Sequence, residues 1–201
     1  MKHDFLLKEY ELNFEQYRYN DSRRWEIFKY LVTLASSAAV AIFVIYKYFH
    51  GTTEIFYWCL LSLCLIIYFA SLLFNSLILQ ARLDCVTAMR QLNAIRGYLL
   101  EKEVPDFKNN QLYTSTDFPA VKFSNIHTTQ LIETALISAL FLTAAICSLT
   151  YIKNQTPVGL GWIIFAFIIA SIGQILLSYK YLKDHGNSKS EGVVHGYIDA
   201  Q

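Results

Sequence analysis

The chain has 201 residues and a formal net charge of +1, with 54% hydrophobic and only 16% charged residues. Soluble domains carry about 25% charged residues, and nucleic-acid-binding domains show a marked basic excess. Neither holds here, so no nucleic acid polymer is expected as a partner, and one domain rich in apolar helices is the natural reading at this length. The four cysteines, Cys59, Cys64, Cys85 and Cys147, fall mostly inside apolar runs and form no metal-like pair, so they read as small apolar residues.

The first 26 residues are polar and charged, where a cleavable signal would need an apolar core. The first span is therefore expected to act as its own insertion signal. Residues 4–24 contain no Gly or Pro, and Leu6, Tyr10, Phe14 and Tyr17 recur at three- and four-residue steps. That spacing predicts a helix with one apolar face, carrying Glu9, Glu11 and Glu15.

A helix needs about 20 largely apolar residues to cross a hydrocarbon core. No charge lies between Lys29 and Lys47, and flanking apolar residues make that run long enough for span one. His50-Gly51-Thr52-Thr53 is a short turn. Span two follows in the uncharged run from Ile55 to Ala81. No Gly or Pro occurs from Glu54 to Arg96, so the same helix is expected to continue to Gly97 or to just before Pro105. Such a rod would be on the order of 65–75 Å long. In its second half Cys85, Ala88, Met89, Leu92, Ile95 and Leu99 form an apolar stripe, with Arg82, Arg90, Arg96 and Lys102 mostly off it. The stripe needs a partner, and the N-terminal helix is the candidate.

Residues 104–127, with Pro105 and Pro119, read as an irregular loop whose Phe107, Leu112, Tyr113, Phe118, Val121 and Phe123 should fold back on those helices. Span three lies between Glu133 and Lys153. A turn ending at Pro157 leads into span four, whose apolar part starts near Val158. The tail from Asp184 is polar and Gly-containing, and is expected to be loose or an interaction tail.

Most Lys and Arg residues precede span one, fill the middle segment or follow span four, whereas the two short turns hold only Lys47 and Lys153. This bias predicts an inner-membrane protein with both termini and the middle segment cytoplasmic. Trp25, Phe28, Tyr30, Tyr179 and Tyr181 fit an inner aromatic belt, and Tyr46, Tyr48, Phe56, Tyr57, Trp58, Tyr151 and Trp162 an outer one. The expected fold is all-α and integral to the membrane, with four transmembrane helices as two hairpins and cytoplasmic extensions of spans one and two. Its segments are 1–26, an N-terminal helix; 27–80, the first hairpin; 81–127, helix and loop; 128–182, the second hairpin; and 183–201, the tail.

No nucleophile elbow, phosphate loop or metal-binding helix motif is present, and the five histidines have no ligand spacing. The chain reads as neither an enzyme nor a cofactor protein. Three polar features remain. Glu133, at the inner end of span three beside Gln130 and Thr134, either marks an ion path or snorkels to the headgroups. Asn75 in span two and Gln174 in span four either line a water-filled space or bond between helices. Arg23-Arg24-Trp25-Glu26 is a membrane anchor, a gating collar or a headgroup site. Small residues four apart, Ala35/Ala39, Ala135/Ala139 and Ala166/Ala170, allow close helix approach, whereas bulkier span two should face lipid over more of its surface. Four helices alone enclose no aqueous channel. Conduction would need a ring of subunits, with the Ser/Thr/Ala face of span one (Thr33, Ser36, Ser37) lining it and Asn75 and Glu133 as further candidates.

The charged N-terminal helix, the Arg23-Arg24-Trp25 entry, the hairpin spans and the cytoplasmic helical extension resemble small bacterial membrane effectors of antiviral defence. These are the SLATT-type proteins and their four-span pore-forming relatives. The likeness covers the architecture of residues 5–100, and the second hairpin departs from the usual two-span form. The resemblance implies a homo-oligomeric channel or pore-forming effector, opened by a cytoplasmic nucleotide or protein, with Arg23, Arg24, Arg90 and Arg96 as gating or ligand candidates. The rival is a non-conducting scaffold that anchors a cytoplasmic partner through an exposed apolar face on residues 82–104. A transporter would need broken helices or midplane charges, which the spans lack.

Overall fold

A computed structural model describes residues 2–49, 53–102 and 126–198, with side chains placed for 4–49, 54–102 and 128–186. The described secondary structure is entirely helical: α1 (Lys2–Phe49), α2 (Thr53–Lys102), α3 (Ile126–Asn154) and α4 (Leu160–Ile198). All four are long and apolar enough to cross a membrane.

The N-terminal helix and span one are one element, because nothing between residues 4 and 49 interrupts the backbone ladder and no proline occurs there. α2 likewise runs without a break to Lys102, the later of its two expected ends. α3 stops where Gln155 takes a left-handed conformation (φ 55°) and donates its N–H to Tyr151 O at 2.8 Å, a helix-ending arrangement that Pro157 reinforces. α4 opens with Gly159 O accepting from Trp162 N at 3.0 Å. It then continues through the expected tail to Ile198, so residues 183–198 are helical rather than loose. The loop expected at 104–127 and the His50 turn lie outside the described residues, save for the first residues of α3.

The chain divides into two compact units. Residues 1–25, 79–123 and 180–201 form a polar unit; residues 26–78 and 124–179 form an apolar one. In the apolar unit the core is Ala38 of α1, Leu61, Cys64 and Ile67 of α2, and Phe141 and Ala145 of α3. Tyr57 and Tyr151 stack at 3.9 Å between ring centroids. α3 is the most enclosed of the four helices, with 39% of its apolar window buried against 6% for α4. Ala135 and Ala139 explain that difference: both are buried, whereas Ala166 and Ala170 are only half-buried. Span two, expected to be the most lipid-facing, is second to α3 in burial, because Cys64 and Ser71 leave its inner face flat enough to pack.

In the polar unit part of the stripe on α2 is covered, while Met89, Ile95 and Leu99 are half-buried. Cys85, Val86, Ala88 and Leu92 are buried, together with Leu6 of α1 and Leu182 of α4. α1 supplies one side: Cys85 Sγ approaches Tyr17 O at 3.9 Å, and Arg96 Nη2 and Nε donate to Tyr10 Oη at 2.6 and 2.9 Å. α4 supplies another, since Arg90 Nη1 donates to Gly186 O at 2.6 Å.

Candidate functional site

Three polar arrangements are candidates, two in the apolar unit and one in the polar unit. The first is a face of α1. Glu26, Lys29, Thr33, Ser36, Ser37, Val40, Val44 and Lys47 are all exposed and recur at three- and four-residue steps, so they lie along one side of the helix. The hydroxyls in the middle are satisfied within the helix. Thr33 donates to Lys29 O at 2.9 Å, Ser36 to Val32 O at 2.8 Å and Ser37 to Thr33 O at 2.9 Å. Each keeps its oxygen lone pairs turned outward. The stripe is therefore charged at its two ends, weakly polar in the middle, and narrow in side-chain volume.

The second is a seam of neutral polar side chains inside the apolar unit. Gln130, Thr134 and Ser138 follow one another at four-residue steps on α3 and all are buried. Ser171 and Ser178 are buried on α4, with half-buried Gln174 between them, and α2 adds Ser71 and Asn75. Two bonds join the helices: Asn75 Nδ2 donates to Ser178 Oγ at 3.1 Å, and Ser138 Oγ donates to Gln174 Oε1 at 2.5 Å. Polar side chains between apolar helices are ordinarily spent on such bonds. Here several atoms are left over. Gln130 Nε2 and Oε1, Asn75 Oδ1, Gln174 Nε2 and Thr143 Oγ1 have no hydrogen-bond partner among the described residues.

The third arrangement is a set of three buried guanidiniums in the polar unit, of which Arg24 and Arg82 act on each other. Arg24, Arg82 and Arg90 are at most 8% exposed, and no Asp or Glu among the described residues is buried. Arg24 Nη2 pairs with Asp21 Oδ1 at 2.8 Å. Burial lowers the Arg24 pKa, and the Asp21 carboxylate opposes that shift. Arg82 is lowered to about 10, chiefly by burial, with the Arg24 charge adding to the effect. The Cys85 thiol is pushed up to about 11 by burial, against the pull of Arg24 and Arg82, so it is an inert thiol at neutral pH. Tyr17 is raised as well, by burial first and by Asp21 second.

The residues singled out from sequence are thus divided. Thr33, Ser36 and Ser37 share one exposed face. Asn75 belongs to the seam, and Glu133 is exposed on α3 and turned away from it. Arg23 is exposed, whereas its neighbour Arg24 is buried. Arg90 and Arg96, named as gating or ligand candidates, make bonds to α4 and α1 respectively. Sequence reasoning set Arg82 only beside the apolar stripe of α2, not among the site candidates, and treated Gln130 only as a neighbour of Glu133. The Gln130/Thr134/Ser138 spacing was the signal that could have found the seam. For Arg82 there was none, because a lone arginine past the end of an apolar run reads as an anchor.

No protein-family model, no curated protein and no solved structure matches this chain. The candidates therefore stand on their own geometry. Among the described residues no group of three or more His, Cys, Asp or Glu side chains could hold a metal ion. All four cysteines are free thiols.

Proposed function

We propose that the protein is a homo-oligomeric membrane channel of the bacterial inner membrane, with α1 lining a pore at the subunit axis and the polar unit acting as its cytoplasmic gate. The observation that carries this reading is the exposed α1 stripe with Thr33, Ser36 and Ser37 at its centre. A helix in lipid gains nothing from a hydroxyl-bearing face turned outward, whereas a ring of copies turns that face toward an aqueous axis.

Supporting the membrane placement, large apolar side chains such as Phe43, Ile66, Leu73, Leu140, Leu176 and Leu177 are exposed in the apolar unit. A surface of that kind in water would aggregate, and in a bilayer it is the solvated surface. The excess of Lys and Arg at the termini and in the middle segment argues for their cytoplasmic location. Scaffolding through residues 82–104 is less favoured, because Cys85, Ala88 and Leu92 of that stretch are already buried in the polar unit, although Met89, Ile95 and Leu99 are only half-buried. The resemblance to antiviral effectors suggests the opening signal, a cytoplasmic nucleotide or protein acting on the polar unit. Arg90 and Arg96 tie α2 to α4 and α1 within that unit and are the residues through which it would act.

The test is electrical. Purified protein in planar bilayers should pass current, and Ser36→Leu with Ser37→Leu should reduce it at least tenfold while the oligomer mass, read by native mass spectrometry, stays the same. Undiminished current in the double variant would remove α1 from the pore. A monomeric mass for the native protein in lipid nanodiscs would remove the ring.

A further inference from the structure

We propose that the polar seam of the apolar unit is a hydrated half-channel, a binding site for water that begins at the N-terminal end of α3 and is closed by the apolar cluster around Phe141. This inference uses the membrane placement proposed above but not the conduction, since the seam lies within one chain.

The argument starts from the side chains that are present. Gln130 is 2% exposed, and neither its amide nitrogen nor its amide oxygen has a hydrogen-bond partner among the described residues. One such group in a protein of this size would be unremarkable. Here the same condition recurs at Asn75 Oδ1 and Gln174 Nε2, each on a side chain whose other amide atom is bonded across the seam. Buried polar atoms of native proteins are paired with protein or with ordered water. In a hydrocarbon setting no outside solvent can relieve the remainder.

The inventory of unfilled valences names the ligand class. Two amide donors (Gln130 Nε2 and Gln174 Nε2) and two amide acceptors (Gln130 Oε1 and Asn75 Oδ1) are open; the fifth open atom, Thr143 Oγ1, is a hydroxyl that both gives and accepts and lies five residues past Ser138, on another face of α3. An anion would need donors alone and a cation acceptors alone, so a balanced set calls for a neutral molecule that gives and accepts hydrogen bonds. Water is the smallest such molecule, and it needs two to four polar partners per site. Exchanging the oxygen and nitrogen of any of the three amides alters which valence is open without creating a charge. No Asp, Glu, Lys or Arg is among the seam residues.

The extent of the half-channel follows from the helix register. Gln130, Thr134 and Ser138 are stacked on one face of α3 over about 12 Å. α3 and α4 are joined by the short turn at residues 155–159 and run in opposite directions, so the Ser138–Gln174 bond brings Thr134 alongside Ser178, which Asn75 reaches from α2. Past Ser138 the same face of α3 continues as Phe141 and Ala145, and these pack with Ala38, Leu61, Cys64 and Ile67. That cluster offers water no hydrogen bond. It is the floor of the site.

Two measurements test this. In a chain with Cys59, Cys64, Cys85 and Cys147 replaced by alanine, single cysteines are placed at Thr134, Ser138 and Ala145 and treated in opened membrane vesicles with a charged, water-soluble methanethiosulfonate. The thiolate, which forms only where water reaches, attacks the reagent's outer sulfur and displaces methanesulfinate, leaving a mixed disulfide. Cysteines at 134 and 138 should react at least tenfold faster than the one at 145, and equal rates at all three positions would sink the half-channel. Should the alanine background fail to assemble, Gln130→Met in the native chain decides. With water as its partner Gln130 is held by solvent, and methionine should lower Tm by no more than about 4 °C. A larger fall would mean that Gln130 has a fixed structural partner and overturns the proposal. Carbonate washing of the vesicles keeps the two readings apart, because protein released by it contradicts membrane placement, whereas retained protein with unreactive cysteines contradicts hydration alone.

Discussion

The polar and apolar units differ in the polar side chains they bury. In the polar unit three arginines are buried beside Asn13, Asn20 and Asn93, and the arginines are engaged: Arg24 by Asp21, Arg90 by the carbonyl of Gly186, and Arg82 within the favourable field of Cys85, Tyr17 and Asp21. In the apolar unit the buried groups are neutral amides and hydroxyls, and four amide atoms are left over. A buried charge without compensation costs far more than a buried amide, so the guanidiniums most need their partners, whereas single atoms of the neutral amides can stay open. Gaps that are tolerated can be used, and the apolar unit is accordingly where a passage for water is placed.

Removing a charge should therefore disturb the protein most. Arg24→Ala withdraws the partner of Asp21 and leaves a void among Tyr17, Arg82 and Cys85; it is expected to cost about 2–4 kcal/mol. Because Asp21 is partly exposed, the value belongs toward the lower end. Thermal unfolding in detergent checks this, and a loss no larger than that of an exposed Arg23→Ala control would show that the cluster is not a structural centre.

Alkaline pH gives the next effect. The folded-state pKa of Cys85 is about 11, above its ordinary value of 9.0. A raised pKa means that the folded state holds the proton more tightly, so this contribution is full below pH 9 and is lost as pH rises to about 11. Tyr17, also raised, acts in the same direction. Arg82 acts in the opposite direction, since its lowered pKa makes the folded state gain stability above pH 10. Between pH 9 and 10 the thiol outweighs Arg82, which has only begun to lose its proton, and stability should fall by about 0.5–1 kcal/mol. Cys85→Ala should flatten that segment of the Tm profile. An unchanged slope would separate the thiol from the cluster.

The smallest effect is expected in the seam. Asn75→Leu removes the bond to Ser178 but also an open acceptor, and bonds between membrane helices average about 0.6 kcal/mol. A net change within about 1 kcal/mol is expected. A cost rivalling that of Arg24→Ala would erase the contrast between the units.

Much of the fold was legible along the chain, for reasons that particular residues make plain. The uncharged run from Ile55 to Ala81 states that a helix can lie in an apolar medium, since each missing charge is a desolvation cost avoided. The stripe from Cys85 to Leu99 announced a covered face, and α1 and α4 were found against its buried members Cys85, Ala88 and Leu92. The pairing with the N-terminal helix was likewise readable from Leu6, Tyr10 and Tyr17, whereas Phe14 of the same expected face is exposed and Asn13 is buried instead. The continuation of α4 was not legible, because Gly186 weakens helix propensity. The carbonyl of that same glycine is what Arg90 grips.

Sequence alone determined that the chain is helical, that four of its segments match a bilayer and that its charges gather in three places. These are properties of single segments, set by spacing and by the presence or absence of ionisable groups. Only the tertiary structure decided which polar groups are enclosed. Arg82, Gln130 and Ser36 look alike as polar residues near apolar runs, yet one is buried among charges, one is buried with open valences and one is exposed. Enclosure depends on which neighbouring helices supply the other walls. That is a relation between distant segments, and no single stretch of chain encodes it.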